Sequence, residues 1–212
     1  MRARRCLELG GWLVAAGLIA VVSAWAGPAG ATETGRAAAA LDLCSAASAS
    51  SGARRAALVD QGLALAEEAV RADAYSARAH LAVFCNLGRQ MELSRNPFTS
   101  LLRLARLRRE VDTALDLDPT SAGALAGKGA LLRALPRLLG GDRDEAERLL
   151  RRALAEDPDQ LDARLNLALA LRDRAALDEA RAEAGRVVAL AEARGDRAAA
   201  GEAEDLLRSL GR

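Results

Sequence analysis

Histidine is almost missing from this 212-residue chain: His80 is alone. No HExxH helix, no pair of histidines and no multi-histidine metal site can be assembled from it. A thiol working with His80 would need Cys85 or Cys44 beside it, but positions 80 and 85 lie about 140° apart around a helix. The alternative is a histidine that packs a helix. Aromatic residues are nearly as scarce, at 2%, so a core must be filled with Leu, Val and Ala. Residues branched at Cβ are rare after the first 25 positions, which removes any strand pattern and leaves helix as the expected element. Lysine occurs once, at Lys128, against 29 arginines, a bias that a GC-rich coding sequence explains more simply than 29 selected guanidinium contacts. The formal net charge is +1, and acids alternate with bases along runs such as Glu145, Glu147, Arg148, Arg151, Arg152 and Glu156. That interleaving supplies no basic field, so nucleic acid is not the expected partner.

Chemical motifs are missing too. Gly123 precedes Gly127-Lys128 by one residue too few for a phosphate-cradling loop, and Gly129 stands where Ser or Thr would hold a metal. Asp116 with Asp118, and Asp157 with Asp159, fall at helix ends, where carboxylates cap. No catalytic residue, metal or cofactor is expected.

What is present begins with an export pattern. Arg2, Arg4 and Arg5 precede an uncharged stretch from Leu9 to Ala31 containing the apolar run Trp12 to Val22. Ala24-Trp25-Ala26 and Ala29-Gly30-Ala31 both offer small-x-small cleavage sites, so residues 1–31 read as a signal peptide. Left uncleaved, the stretch is long enough to span a bilayer with its short end in the cytoplasm. Either way the rest of the chain is exported, to the periplasm or held outside at the inner membrane. Arg4-Arg5 reads as ordinary positive charge rather than a twin-arginine signal, because Glu8 intrudes. No cysteine follows the apolar run to accept a lipid. Cys6 belongs to the signal, which leaves Cys44 and Cys85 as an even pair in an oxidising compartment. They are candidates for a disulfide; the alternative is two small buried core residues.

The remainder repeats itself. Asp144-Glu145-Ala146 returns 34 positions later as Asp178-Glu179-Ala180. Pro119, Leu132 and Arg133 return 39 later as Pro158, Leu171 and Arg172. Ala74 to Leu81 aligns on Pro119 to Ala126 at an offset of 45. Repeats of this length are helical hairpins that bury their apolar faces by stacking. The longer offsets place insertions in 134–140 and around 89–98. Helices are predicted over 36–49, 53–72, 76–89, 99–117, 121–135, 142–156, 159–173, 176–193 and 196–210: four pairs and a closing helix. Asp118-Pro119 and Asp157-Pro158 predict an Asp N-cap with Pro in the first turn, and Asp142 with Glu145 predicts a capping box. Leu167, Leu171 and Leu177 are expected in the core. Along 197–210, Ala200, Ala203, Leu206, Leu207 and Leu210 form one stripe among charged residues including Glu202, as a solubilising end cap requires.

Leu167-Ala168, Leu171, Ala180, Ala184 and Val187, with Gly129, Leu132, Ala146, Leu150, Ala153 and Pro158 one unit earlier, resemble the small and large pattern of the tetratricopeptide repeat (TPR). The resemblance covers about 140 residues and implies an all-α superhelical solenoid over 36–212. It departs at the aromatic positions and at Lys128, usually Leu, which implies a shifted or solvent-opened third unit. A second stretch, Leu138 to Glu147, is similar to the exported T component associated with TRAP transporters. The family's geometry implies a concave wall from the first helix of each unit: Arg78, Leu81, Cys85 and Gly88; Gly123, Ala126, Ala130 and Arg133; Asp162, Leu165, Leu169 and Arg172. Arg78, Leu81, Ala126, Ala130, Arg133, Leu165, Leu169 and Arg172 are the expected partner-binding residues, with Arg133 and Arg172 suited to a carboxylate or peptide backbone. The Lys and Asn clamp of chaperone-binding TPRs is not matched. Met91, Phe98, Leu135 and Leu138 in the insertions are expected either to pack on one another or to form a second, partner-binding ridge. The expected function is a non-enzymatic exported adaptor that binds a protein or peptide, with no nucleic acid. The alternatives are a transport accessory that docks a substrate-binding protein or cradles a small ligand, and an enzyme.

Overall fold

The computed structural model describes residues 33–94 and 97–211, and the side chains of 35–94 and 102–211. The expected signal segment lies outside them. Among the described residues nine α-helices follow one another without a strand: α1 Glu33–Ser48, α2 Gly52–Ala72, α3 Ala77–Leu93, α4 Pro97–Leu117, α5 Ala122–Ala134, α6 Arg143–Glu156, α7 Leu161–Asp173, α8 Leu177–Arg194 and α9 Arg197–Leu210. None is long and apolar enough to cross a membrane. The first insertion becomes helix: α3 runs on to Leu93 and α4 starts at Pro97, where a missing N–H costs nothing. The second becomes a 3₁₀ turn, Arg137–Leu139, closed by Gly140 in the left-handed region and by Asp142 N–H donating to the Leu132 carbonyl 3.1 Å away.

The repeating punctuation does a different job from the one its composition suggests. Asp73, Asp118 and Asp157 end the helices before them, each N–H donating to a carbonyl four residues back, at Ala69, Ala114 and Ala153. Each carboxylate then accepts the N–H two residues on, from Tyr75, Thr120 and Asp159. This Asx turn satisfies the orphan groups of one helix and aims the chain at the next. The N-caps are therefore Ser76, Ser121 and Gln160, not Asp118 and Asp157. Asp142 caps α6 through the N–H groups of Asp144 and Glu145, both at 3.0 Å.

Alternate helices lie side by side. α3 packs on α1 and α2, α5 on α3 and α4, α7 on α5 and α6, and α9 on α7 and α8. The helices approach closely because their seams are alanine: Ala37, Ala69 and Ala79 meet at one, Ala40, Ala66 and Ala82 at the next. Leu125, Leu150, Leu167 and Leu171 fill the wider core shared by α5 to α9, while Leu177, expected there, is partly exposed at the start of α8. Glu147, 2% exposed, is paired with both Arg151 and Arg174, which ties α6 to the turn after α7. Lys128 pairs with Asp112 of α4 at 2.8 Å and stays partly open to solvent.

The first three helices meet at one polar point. Fully buried Asn86 donates to the carbonyls of Ala40 in α1 and Ala82 in α3, at 2.9 and 3.0 Å. Its Oδ1 faces Gly62 of α2, where an added Cβ would lie 2.1 Å away. A disulfide joins Cys44 of α1 to Cys85 of α3, with Cα atoms 6.2 Å apart.

Both features can be tested by substitution. Cys44→Ala with Cys85→Ala should lower unfolding free energy by about 3 to 4 kcal/mol, the chain-entropy value for such a loop, read by urea titration against the untreated protein. Gly62→Ala should cost roughly 2 kcal/mol or more by overpacking on Asn86. Adding Asn86→Ala should return part of that loss, and simple additivity of the two changes would contradict the contact.

Candidate interaction surfaces

The inner row consists of α1, α3, α5, α7 and α9, and the outer row of α2, α4, α6 and α8. The row curls far enough for its ends to approach. A hollow of about 600 Å³ is lined by Ser45 and Ala49 at the end of α1 and by Gly195, Asp196, Arg197 and Ala198 at the α8 to α9 turn.

The inner side carries charges of both signs: Arg78 and Arg197 are exposed there, and two carboxylates stand without a salt bridge among the described residues. Asp162, in the first turn of α7, is reached by solvent yet walled by neighbouring helices; burial raises its pKa, the Arg89 charge opposes that, and Asp196 adds to it. Glu202 of α9 behaves the same way: burial raises it first, Arg89 lowers it, and Asp162, Glu92 and Asp196 raise it further. The end of α3, the start of α7 and α9 therefore lie within electrostatic reach of one another. Arg89 is already engaged with Glu92, which also takes Arg55 at 2.7 Å. Asp162 and Glu202 have no ion-pair partner among the described residues.

The wall residues expected from sequence are distributed differently. Arg78 is exposed. Leu81 is half-buried against Gly123, in the cluster with Val111, Ala114 and Ala124. Ala126 is 2% exposed and belongs to the core, because α5 turns that face toward its neighbours; it is not available to a partner. Ala130 is half-buried, and Leu165 and Leu169 lie partly covered against the α5 to α9 core. Arg133 and Arg172 do come together, but on an internal acid. Arg133 reaches Asp173 at 3.5 Å and Asn166 at 3.4 Å, and Arg172 reaches the other oxygen of Asp173 at 2.9 Å. Burial lowers the pKa of Arg133 and Asp173 opposes that, with Arg172 and Arg143 adding repulsion. Both arginines sit in the last turns of α5 and α7, where the helix dipoles also favour cations. The two thus converge on Asp173, which a partner's carboxylate would have to displace.

The role of Asp173 is not apparent from sequence, although it follows Arg172 directly. Nor is that of α9, which reads there as a solubilising cap; counting helices alternately puts α9 in the inner row, with Glu202 within electrostatic reach of Asp162 and Asp196.

In the insertions, Met91 and Leu135 pack with Leu87, Leu104, Leu107 and Leu131, so they belong to a core cluster rather than to a surface ridge. Leu138 is 96% exposed. The side chain of Phe98 lies outside the described residues.

His80 faces Glu110 through Nδ1 at 2.8 Å and the Ala74 carbonyl through Nε2 at 3.1 Å. Arg106 continues this network to Glu67 at 2.6 Å, along a hollow of about 320 Å³ between α2, α3 and α4. Cys85 is bonded to Cys44, so no free thiol accompanies the histidine. No group of three or more His, Cys, Asp or Glu able to hold a metal occurs among the described residues.

No protein-family model matches the chain, and neither does any curated protein sequence. Solved structures do. A thermophilic TPR protein of Thermus thermophilus, TTC0263, is similar with a TM-score of 0.56 and 24% identity over 72% of this chain and 75% of that one. PilW, a widely conserved type IV pilus biogenesis factor, is similar with a TM-score of 0.52 and 18% identity over 86% and 79% of the two chains. At these identities the likeness is one of fold, and the fold of this chain is the all-α solenoid of TPR proteins.

Proposed function

We propose that this protein is an exported, non-enzymatic TPR-type adaptor whose inner face takes an extended basic segment of another protein in the cell envelope. The carrying observation is that Asp162 and Glu202, solvent-reached and without an ion-pair partner among the described residues, lie within electrostatic reach of each other and of Asp196, which caps α9. Electrostatic complementarity selects the sign of the partner, and a cation placed there offsets the burial and the mutual repulsion that raise both acids. Extended chain suits a trough built from helix faces, since its own backbone groups stay solvated or meet side chains such as Gln160 beside Gly123. Export is supported by the amino-terminal charge and hydropathy pattern and by the disulfide, which belongs to oxidising compartments. With the thiols bonded and His80 held by Glu110 and Ala74, the groups first considered for catalysis are occupied in structural contacts.

Fluorescence anisotropy with labelled Lys/Arg-rich, Glu-rich and uncharged peptides tests this reading. The basic peptide should bind best, and Asp162→Asn with Glu202→Gln should weaken it roughly tenfold, the loss expected for two partly screened charge contacts of about 0.5 to 1 kcal/mol each. Because both pKa values are raised, the carboxyls protonate above the ordinary carboxylate range as pH falls, so binding should weaken there. The unliganded fold should gain stability over the same range, since the folded state binds those protons more tightly than the unfolded chain. Equal binding of acidic and basic peptides, or an unchanged affinity in the double variant, would remove the acidic-trough reading.

A further inference from the structure

The outer edge of the second unit carries a surface independent of the inner face. Along α4, Leu104, Leu107, Val111 and Ala114 point into the core, which turns Leu102, Ala105 and Arg109 outward on one line. Leu102 is 80% exposed. Arg108, on the flank of the same helix, donates to the carbonyl of Leu139 and so seats the 3₁₀ turn beside α4. That turn presents Leu138, 96% exposed, and part of Leu139. Isolated exposed leucines are ordinary, but these stand among arginines that lack acidic partners.

Arg109 and Arg137 make no ion pair among the described residues, and among them Arg108 bonds to the Leu139 backbone carbonyl. The nearby acids are engaged elsewhere: Glu110 with His80 and Arg106, Asp112 with Lys128, and Asp142 with the amino terminus of α6. Arg137 acts on Asp142 only through its field. Asp116, exposed, stands two turns beyond Arg109 on the outward line. The edge therefore holds a local excess of guanidinium charge on a chain whose formal net charge is only +1.

We propose that this edge docks on an anionic lipid surface, with Leu102 and Leu138 entering the headgroup layer and Arg108, Arg109 and Arg137 meeting lipid phosphates. The leucines are knobs, one on the outermost line of a helix and one on a projecting turn. A soft planar interface receives knobs, whereas a peptide needs a groove to bury its own side chains. Arginine forks match phosphate oxygens, and each basic residue near an anionic bilayer adds to affinity.

The test uses residues 31–212, the unit that holds all the core clusters and the disulfide, so that the apolar leader cannot itself enter the bilayer. Flotation is measured with phosphatidylcholine vesicles and with vesicles in which about a third of the lipid is phosphatidylglycerol. Binding should require the anionic lipid and fall at high salt. Arg109→Gln with Arg137→Gln should weaken it about 25-fold, roughly fivefold for each charge removed near the surface. Arg54→Gln with Arg197→Gln, which removes the same charge elsewhere, should leave it within about twofold. Leu102→Ser with Leu138→Ser should weaken binding with circular dichroism unchanged, both sites being exposed. Equal loss from the two arginine pairs would overturn the proposal, as would no binding to anionic vesicles. So would a dimer in light scattering that the leucine changes dissolve, since the edge would then be an interface between copies.

Discussion

Every part of this structure depends on helices being able to approach closely along alanine. A hairpin of α1 and α2 cannot bury both its apolar stripes alone; Ala37, Ala40, Ala66 and Ala69 are covered only because α3 brings Ala79 and Ala82 against them. The same step recurs at α5, α7 and α9, with Leu125, Leu150, Leu167 and Leu171 where the helices part slightly. Nearest-neighbour burial turns a list of helices into a curved row, and a curved row necessarily has an inner and an outer side. The aromatic residues that commonly fill such seams are not needed once small side chains shorten the distance between helix axes.

Among the described residues α1 packs on α2 and α3 alone, so its hold on the row rests on those two helices. Three devices converge there: the Cys44–Cys85 bond, the Asn86 amide bridging two helix backbones, and the Gly62 cleft that admits it. Buried polarity of this kind specifies register more than it stabilises, because an amide that must meet two carbonyls tolerates no sliding of α3 past α1. At the other end, α9 serves as a lid on the core and as the last element of the inner wall.

The electrostatics separate into committed and uncommitted charge. Glu147 with Arg151 and Arg174, Arg164 with Glu183, and Asp173 with Arg133 and Arg172 each tie successive units together and are spent on the fold. Other charges have no ion-pair partner among the described residues, among them Asp162 and Glu202 on the inner row and Arg109 and Arg137 near exposed leucines. In a chain that is almost neutral as a whole, which charges stay unpaired is not something composition discloses.

Helix positions, repeat length and the all-α solenoid were legible in the amino-acid sequence, because offsets of 34, 39 and 45 between recurring residues record local geometry. The Asp turns at 73, 118 and 157 carry that signal, being made within four residues. The pairing of charges was not legible. Arg133 and Asp173 are 40 residues apart and meet only after two units stack, so an arginine that reads as free is neutralised by an acid next to its counterpart. Likewise Ala126, expected on the wall, is buried in the core of α5 to α9. Local hydrogen bonding and apolar period belong to the sequence; which charges stay uncompensated belongs to the tertiary structure, since it depends on distances between residues that the chain itself places far apart.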